Sequence, residues 1–154
     1  MSEAEAIVDL TIRDAESGDA AALASLMGEL DYQTTTLEMG KRLHAILNDA
    51  HFRTFVAVVN GNICGMIGTL AHAIHEHNDL SGKIVALVVS NKMRRRGVAS
   101  ALIRAAEKDF AKRNIRRVTV TTHLRREHAH RFYEMLGYTK TGFRYRKDLA
   151  PAED

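Results

Sequence analysis

The spacing of apolar and polar positions changes several times along this 154-residue chain, and each change marks a predicted element. Residues 8–13 alternate apolar and polar, which is the period of a half-buried strand. A turn follows at Ser17-Gly18-Asp19, and Leu23, Leu26, Met27 and Leu30 then recur at helical spacing. A second helix is predicted over residues 37–47, with Leu43, Ile46 and Leu47 on one face and Thr35 and Glu38 at capping-box spacing before it. Residues 52–59 are β-branched and aromatic. Asn60-Gly61, a dipeptide that tolerates positive φ at both positions, turns the chain into a returning strand over 63–70. After a polar, histidine-bearing stretch from His75 to Gly82, residues 84–89 form an unbroken apolar run, expected of a central strand buried on both faces. Ala99, Leu102, Ile103, Ala106 and Phe110 make the strongest amphipathic stripe. Residues 118–122 read as a short strand. Ala129, Phe132, Tyr133 and Leu136 mark a last helix stopped by Gly137, and Phe143 and Tyr145 fit a final strand. Helices and strands interleave, so the expected architecture is one mixed α/β domain over residues 1–154 with a structured core at about 8–149.

Composition narrows the function classes. Hydrophobic residues at 45% and charged residues at 27% suit a folded soluble domain and exclude a disordered or fibrous chain. A single cysteine, Cys64, excludes an intramolecular disulfide framework and a cysteine-rich zinc site, which makes the cytoplasm the expected compartment. No apolar run approaches the about 20 residues of a membrane span, and the acidic start lacks the layout of a signal peptide. The net charge of +3 conceals an asymmetry. Residues 1–90 carry 5 Lys+Arg against 12 Asp+Glu, and residues 91–154 carry 17 against 7. A basic half suits an anionic partner such as a phosphate-bearing cofactor or a nucleic acid.

The stretch that carries chemistry is Leu87-Val88-Val89-Ser90-Asn91-Lys92-Met93-Arg94-Arg95-Arg96-Gly97-Val98-Ala99-Ser100. A buried strand leads through a basic loop to a glycine and into the best helix. The first turn of a helix has unpartnered N–H donors and a positive dipole end, which together favour a diphosphate. The glycine removes a Cβ from the approach. No Gly-Lys-Ser/Thr follows and only one glycine is present, so neither a P-loop nor a dinucleotide fingerprint fits.

Arg94-x-x-Gly97-x-Ala99 resembles the acyl-CoA motif of the GNAT superfamily of N-acetyltransferases, and Ala129-x-x-Phe132-Tyr133-x-x-x-Gly137-Tyr138 resembles that family's late helix and turn. With the opening strand and helix from Ile12 to Asp19, the resemblance covers nearly the whole chain. It implies a GNAT fold in which two parallel central strands, here 84–89 and 118–122, splay apart around acetyl-CoA. It also implies that backbone groups of Leu87, Val88 and Val89 bond the pantetheine arm. The N–H groups of Arg94, Arg95, Arg96, Gly97, Val98, Ala99 and Ser100 would then hold the pyrophosphate, and Arg126, where relatives carry Asn, would reach the adenosine phosphates. A primary amine of a small molecule or a protein then attacks the thioester directly, and Tyr133 protonates the departing thiolate.

Relatives place a glutamate base where this chain has Val85, so His75 and His77 are the favoured bases, ahead of Glu76, Asp79 and His123. Asp31, Tyr32, Glu76 and Asp79 would form an acidic mouth suited to a cationic amine. The histidine run and the ending from His130 to Leu149 also resemble the aminoalkylphosphonate acetyltransferase branch, whose activity is associated with divalent metal. That branch has acidic residues where this chain has Lys83 and Ala86. His75-x-His77 offers two imidazoles on one side of an extended segment, too few for a committed site, and no metal is expected. Homodimers are common in such a family. A nucleic-acid partner is not expected, because Phe110, Phe132 and Tyr133 fall on core stripes. The alternative function is a non-catalytic acyl-CoA sensor or interaction module, favoured by the absent glutamate.

Overall fold

The computed structural model describes residues 9–122 and 127–152, and its contacts gather into two compact units, residues 1–120 and 121–154. Among the described residues the first unit holds a five-stranded sheet: β1 (Thr11–Asp14), β2 (Phe52–Val59), β3 (Asn62–His72), β4 (Ser81–Val89) and β5 (Val118–Val120) lie side by side in chain order. The first four strands are antiparallel, and β5 joins β4 in parallel. Three helices belong to this unit: α1 (Ala20–Glu29), α2 (Thr36–Leu47) and α3 (Val98–Lys112). The second unit holds α4 (Glu127–Met135).

Local chemistry accounts for the ends of these elements. Thr35 accepts from the N–H of Glu38 at 3.1 Å while Glu38 accepts from the N–H of Thr35 at 2.9 Å, closing the capping box before α2. The β2–β3 hairpin turns through Asn60 (φ 53°) and Gly61 (φ 79°), both left-handed. Ser17–Asp19 forms a single 3-10 turn rather than an open loop. The first strand begins at Thr11, three residues later than expected, and the start of the expected range lies outside the described residues.

The sheet has a helical layer on each face. Val56, Met66 and Val88 stand in register across β2, β3 and β4 and pack with Leu23, Leu26, Met39 and Leu43 of α1 and α2. On the other face α3 buries Val98, Leu102, Ile103, Ala106 and Phe110. Two strand glycines let α3 approach. A Cβ on Gly65 would lie 3.2 Å from Leu102 and 3.3 Å from Val98, and one on Gly82 would lie 2.9 Å from the Phe110 ring. An ionic cluster pins β1, β2 and α3 together. The Arg53 guanidinium bonds both oxygens of Asp14, at 2.9 and 3.1 Å, and pairs with buried Asp109, whose other oxygen accepts from Arg113 at 2.7 Å. Buried Cys64, the only cysteine, has its thiol pushed up by burial.

The run at residues 84–89 departs from the expectation of two-faced burial. Ile84 pairs with Thr69 but Ala86 pairs with Gly68, so Val85 is an extra residue, a β-bulge. The bulge reverses which face the side chains take. Gly82 lies against α3, whereas Ala86 and Val88 belong to the cluster under α1 and α2. Val85 itself is 44% exposed.

The strand expected at Phe143 and Tyr145 does not form. Residues 139–152 have no regular structure, and the two rings are 70% and 90% exposed. Alternation alone makes no strand without a ladder partner, and among the described residues this segment has none. No helix among the described residues is long and apolar enough to cross a membrane.

Two outcomes follow from this packing. Gly82→Ala drives a methyl into a ring that is almost fully buried, so the expected loss of stability is about 1–3 kcal/mol, read from denaturant midpoints. Adding Phe110→Leu should recover part of the Gly82→Ala loss, and a fully additive double variant would refute the clash. Asp19 is buried and accepts from Arg13 at 2.9 and 3.0 Å and from the N–H of Glu16 at 2.8 Å. The Arg13 hydrogen bonds, and then that of Glu16, hold its carboxyl below the usual carboxylate value. The folded pKa is depressed, so this stabilisation is complete above about pH 4 and fades as pH falls through the folded value. Asp19→Asn should lower stability at neutral pH by about 1–3 kcal/mol and flatten the acid limb of the Tm–pH curve, and an unchanged limb would assign it to other carboxylates.

Candidate functional site

The site is built where β4 outruns its parallel neighbour. The β4–β5 ladder joins Gly82, Lys83 and Ile84 to Val118, Thr119 and Val120 and stops there. Among the described residues β4 continues from Val85 to Val89 with pairing to β3 alone, so this stretch turns backbone without a described ladder partner toward the β5 side. The strand of residues 118–122 expected from the sequence is therefore shorter, and the separation of the parallel pair begins at the bulge.

Beyond β4 the chain turns tightly. Ser90 donates to the carbonyl of Cys64 at 2.8 Å, and Asn91–Met93 make one 3-10 turn. Arg94 is extended, Arg95 is left-handed at φ 63°, and Gly97 is left-handed at φ 81° as the residue before α3. Arg94, Arg95, Arg96 and Gly97 are exposed, and Val98 is buried against the sheet and anchors the first turn. Gly97 has no side chain to cap the helix, and no acidic residue lies in the first turn. The N–H of Ala101 bonds Gly97 at 3.0 Å, which leaves those of Val98, Ala99 and Ser100 as first-turn donors without an intrahelical acceptor. A Cβ at Gly97 would meet nothing within 4 Å, so there is open space beside these donors. Free donors, a positive dipole end and neighbouring arginines are the features that suit an anion.

The other candidates divide between the two ends of β4. Asp31 and Tyr32 follow the last turn of α1 and are exposed. His75, Glu76, His77 and Asp79 are exposed in the loop that enters β4 at Ser81. That end is fixed by Asp79, which accepts from Arg117 at 3.3 Å just before β5. A hydrogen bond from its own backbone N–H, and then that of Arg117, hold the Asp79 carboxyl below the usual range. A strand of this length spans roughly 25 Å. The acidic mouth expected from Asp31, Tyr32, Glu76 and Asp79 is therefore not one opening: the first pair stands near the exit of β4 and the second at its entrance. Leu87 and Val89 are half-buried, and Val88 is buried under α1. Val85, where the resemblance led to the expectation of a glutamate, is the exposed bulge residue and carries no proton acceptor.

A residue that the sequence did not single out lies at the exit of β4. Glu29, the last residue of α1, accepts from the N–H of Asn91 at 2.6 Å. The partners are far apart in the chain, and no local pattern marks the pair.

In the second unit Tyr133 is half-buried on α4, edge-on to Phe132 at 5.4 Å and to Tyr138 at 5.8 Å between centroids. Phe132 is half-buried too, so both rings are less enclosed than core residues. Gly137 (φ 93°) ends α4: its N–H bonds Glu134 and that of Tyr138 bonds Tyr133, each at 3.0 Å. Arg126, with Arg125 and His123, lies outside the described residues.

Residues 20–138 match the Acetyltransferase (GNAT) family. The chain belongs to the GNAT acetyltransferase family. A curated relative, aminoalkylphosphonate N-acetyltransferase of Salmonella typhimurium, is 32% identical over 139 residues, covering 90% of this chain and 88% of the relative. Among solved structures, a GNAT family acetyltransferase of Staphylococcus aureus superposes with a TM-score of 0.80 at 21% identity, covering 92% of this chain and all of that one. AAC(6')-Iy, in complex with the bisubstrate analogue CoA-S-monomethyl-acetylneamine, superposes with a TM-score of 0.77 at 19% identity over 91% of this chain and 99% of that one. The protein is thus a GNAT acetyltransferase, an enzyme of a family that uses acetyl-CoA, and its fold is the α/β GNAT fold. Among the described residues, no three His, Cys, Asp or Glu side chains gather where they would hold a metal.

Proposed function

We propose that this GNAT acetyltransferase moves the acetyl group of acetyl-CoA to the primary amine of a small molecule by direct attack in a ternary complex. The observation that carries the reading is the exposed, uncapped N terminus of α3 directly after the unladdered end of β4. In it, the N–H groups of residues 94–100 hold the pyrophosphate. Backbone groups of Leu87, Val88 and Val89 bond the pantetheine arm and orient the thioester carbonyl, which brings the reactants into attack geometry. The family match includes residues of both units. Arg126 adds charge for the adenosine phosphates.

Tyr133 supplies the proton that the departing thiolate needs, a role for which a phenol is suited because it donates one hydrogen bond. The amine must reach the thioester neutral. With valine at the bulge, its proton leaves through water, and His75 or His77 serves as the distant acceptor. Asp31 and Tyr32, on the exit side of β4, recognise the incoming amine. The relationship to aminoalkylphosphonate N-acetyltransferase makes a small amine bearing an anionic group the first acceptor class to assay. The second reading, an acyl-CoA sensor without turnover, is favoured by one observation: the exposed apolar side chain of Val85. Release of free thiol from acetyl-CoA with any amine of a panel decides for the enzyme. Tight acetyl-CoA binding with no turnover on any amine decides for the sensor.

Two variants test the assigned parts. Gly97→Glu places bulk and negative charge beside the phosphate donors, so CoA binding measured by calorimetry should be abolished. Gly97→Asn, which tolerates a left-handed backbone, should lose far less. Equal affinity of the folded Glu variant and the native chain would remove the loop assignment. Tyr133→Phe keeps the ring and its edge contacts but removes the hydroxyl. Loss of a general acid should lower kcat by roughly 10²–10⁴-fold, with little change in CoA affinity and an altered alkaline limb of the rate profile. Full turnover in this variant would assign thiolate protonation elsewhere.

A further inference from the structure

We propose that Glu29 is a positioning residue that couples the loop after α1 to the loop that receives the pyrophosphate, so that occupancy of one orders the other. The inference rests on the phosphate-loop assignment above.

The position of Glu29 is electrostatically unfavourable on its own helix. It is the last residue of α1, where the dipole end is negative, and that last turn carries no basic residue. Its carboxylate faces away from helix chemistry and accepts from the Asn91 N–H at 2.6 Å. Asn91 opens the 3-10 turn Asn91–Met93, and Ser90, the residue before that turn, makes no side-chain capping bond. A carboxylate from a distant helix thus caps the turn, with the short distance of a charge-assisted hydrogen bond.

Both sides of this bond are stiff. On the α1 side, the N–H of Asp31 bonds Gly28 at 3.1 Å and that of Tyr32 bonds Met27 at 3.1 Å, with Asp31 left-handed at φ 66°. This double closure fixes residues 30–32 to the turn that carries Glu29. On the other side, Met93 donates to Ser90 at 2.9 Å, Ser90 donates to Cys64 at 2.8 Å, and the turn runs straight into Arg94 and Gly97. A shift of the basic loop therefore moves Asn91, and Asn91 is tied through Glu29 to the turn from which residues 30–36 depart. Coupling of this kind is reciprocal: whatever ordering CoA imposes on residues 30–36, a ligand held there returns as CoA affinity.

The test is amide hydrogen exchange on the full chain with and without CoA, for the native protein, Glu29→Ala and Asn91→Pro. Proline removes the donor from the opposite side, and the extended Ser90 (ψ 140°) accepts a following proline. In the native chain, CoA should slow exchange both at residues 94–100 and at residues 30–36. Each variant should keep the first protection, lose the second, and bind CoA about three- to tenfold more weakly, the scale of one ordinary hydrogen bond. The double variant should be no worse than either single one, and Glu29→Gln, whose amide oxygen still accepts, should restore part of the protection at 30–36. Native-like protection of residues 30–36 in a folded Glu29→Ala or Asn91→Pro overturns the coupling and leaves the phosphate loop standing. Absence of protection at residues 94–100 in the native chain overturns both.

Discussion

The structure depends on one strand having to serve two sets of neighbours. At its start β4 is laddered on both sides, to β3 and β5; at its end only β3 remains. An ordinary strand would keep the same faces throughout. Here the extra residue Val85 reverses them at the point where the parallel ladder stops. Below the bulge, Gly82 accepts the Phe110 ring of α3; above it, Ala86 and Val88 fill the layer under α1 and α2. Core packing on both faces and the unladdered backbone at the exit of β4 thus have a single cause.

The start of α3 depends on the same arrangement. α3 starts against the sheet because Val98 and Leu102 pack over Gly65, and Gly65 pairs with Val89 at the end of β4. The helix that supplies free donors is therefore fixed to the strand that supplies free backbone. In the proposed function these two surfaces serve a long, jointed donor, one its phosphates and the other its arm.

Signals that act within a few residues were legible in the sequence. Thr35 with Glu38, Asn60-Gly61 and Gly137 each specify a local hydrogen bond or a left-handed backbone, and each does so in the structure. The turn from β4 into α3 was legible for the same reason, since its arginines, its left-handed glycine and the helix are contiguous. The bulge was not: an extra residue inside an apolar run is indistinguishable from a strand buried on both faces. Phe143 and Tyr145 have the alternation of a strand, but pairing is a property of the partner as well as of the segment. The expected acidic mouth failed because sequence cannot show that Asp31 and Asp79 stand at opposite ends of a nine-residue strand. Glu29 and Asn91, joined across two elements, left no trace in any window of the sequence.

Cys64 is the extra residue of a second bulge: Ala57 pairs with Gly65 while Val58 pairs with Ile63. Its carbonyl holds Ser90, and its side chain is buried. An enzyme of this family frees coenzyme A, a thiol, at every turnover, and mixed disulfides form only through an accessible thiolate. Burial both makes this thiol a weaker acid, so that less of it is thiolate, and shields its sulfur. The chain's one thiol is thereby withheld from exchange with any disulfide that coenzyme A forms.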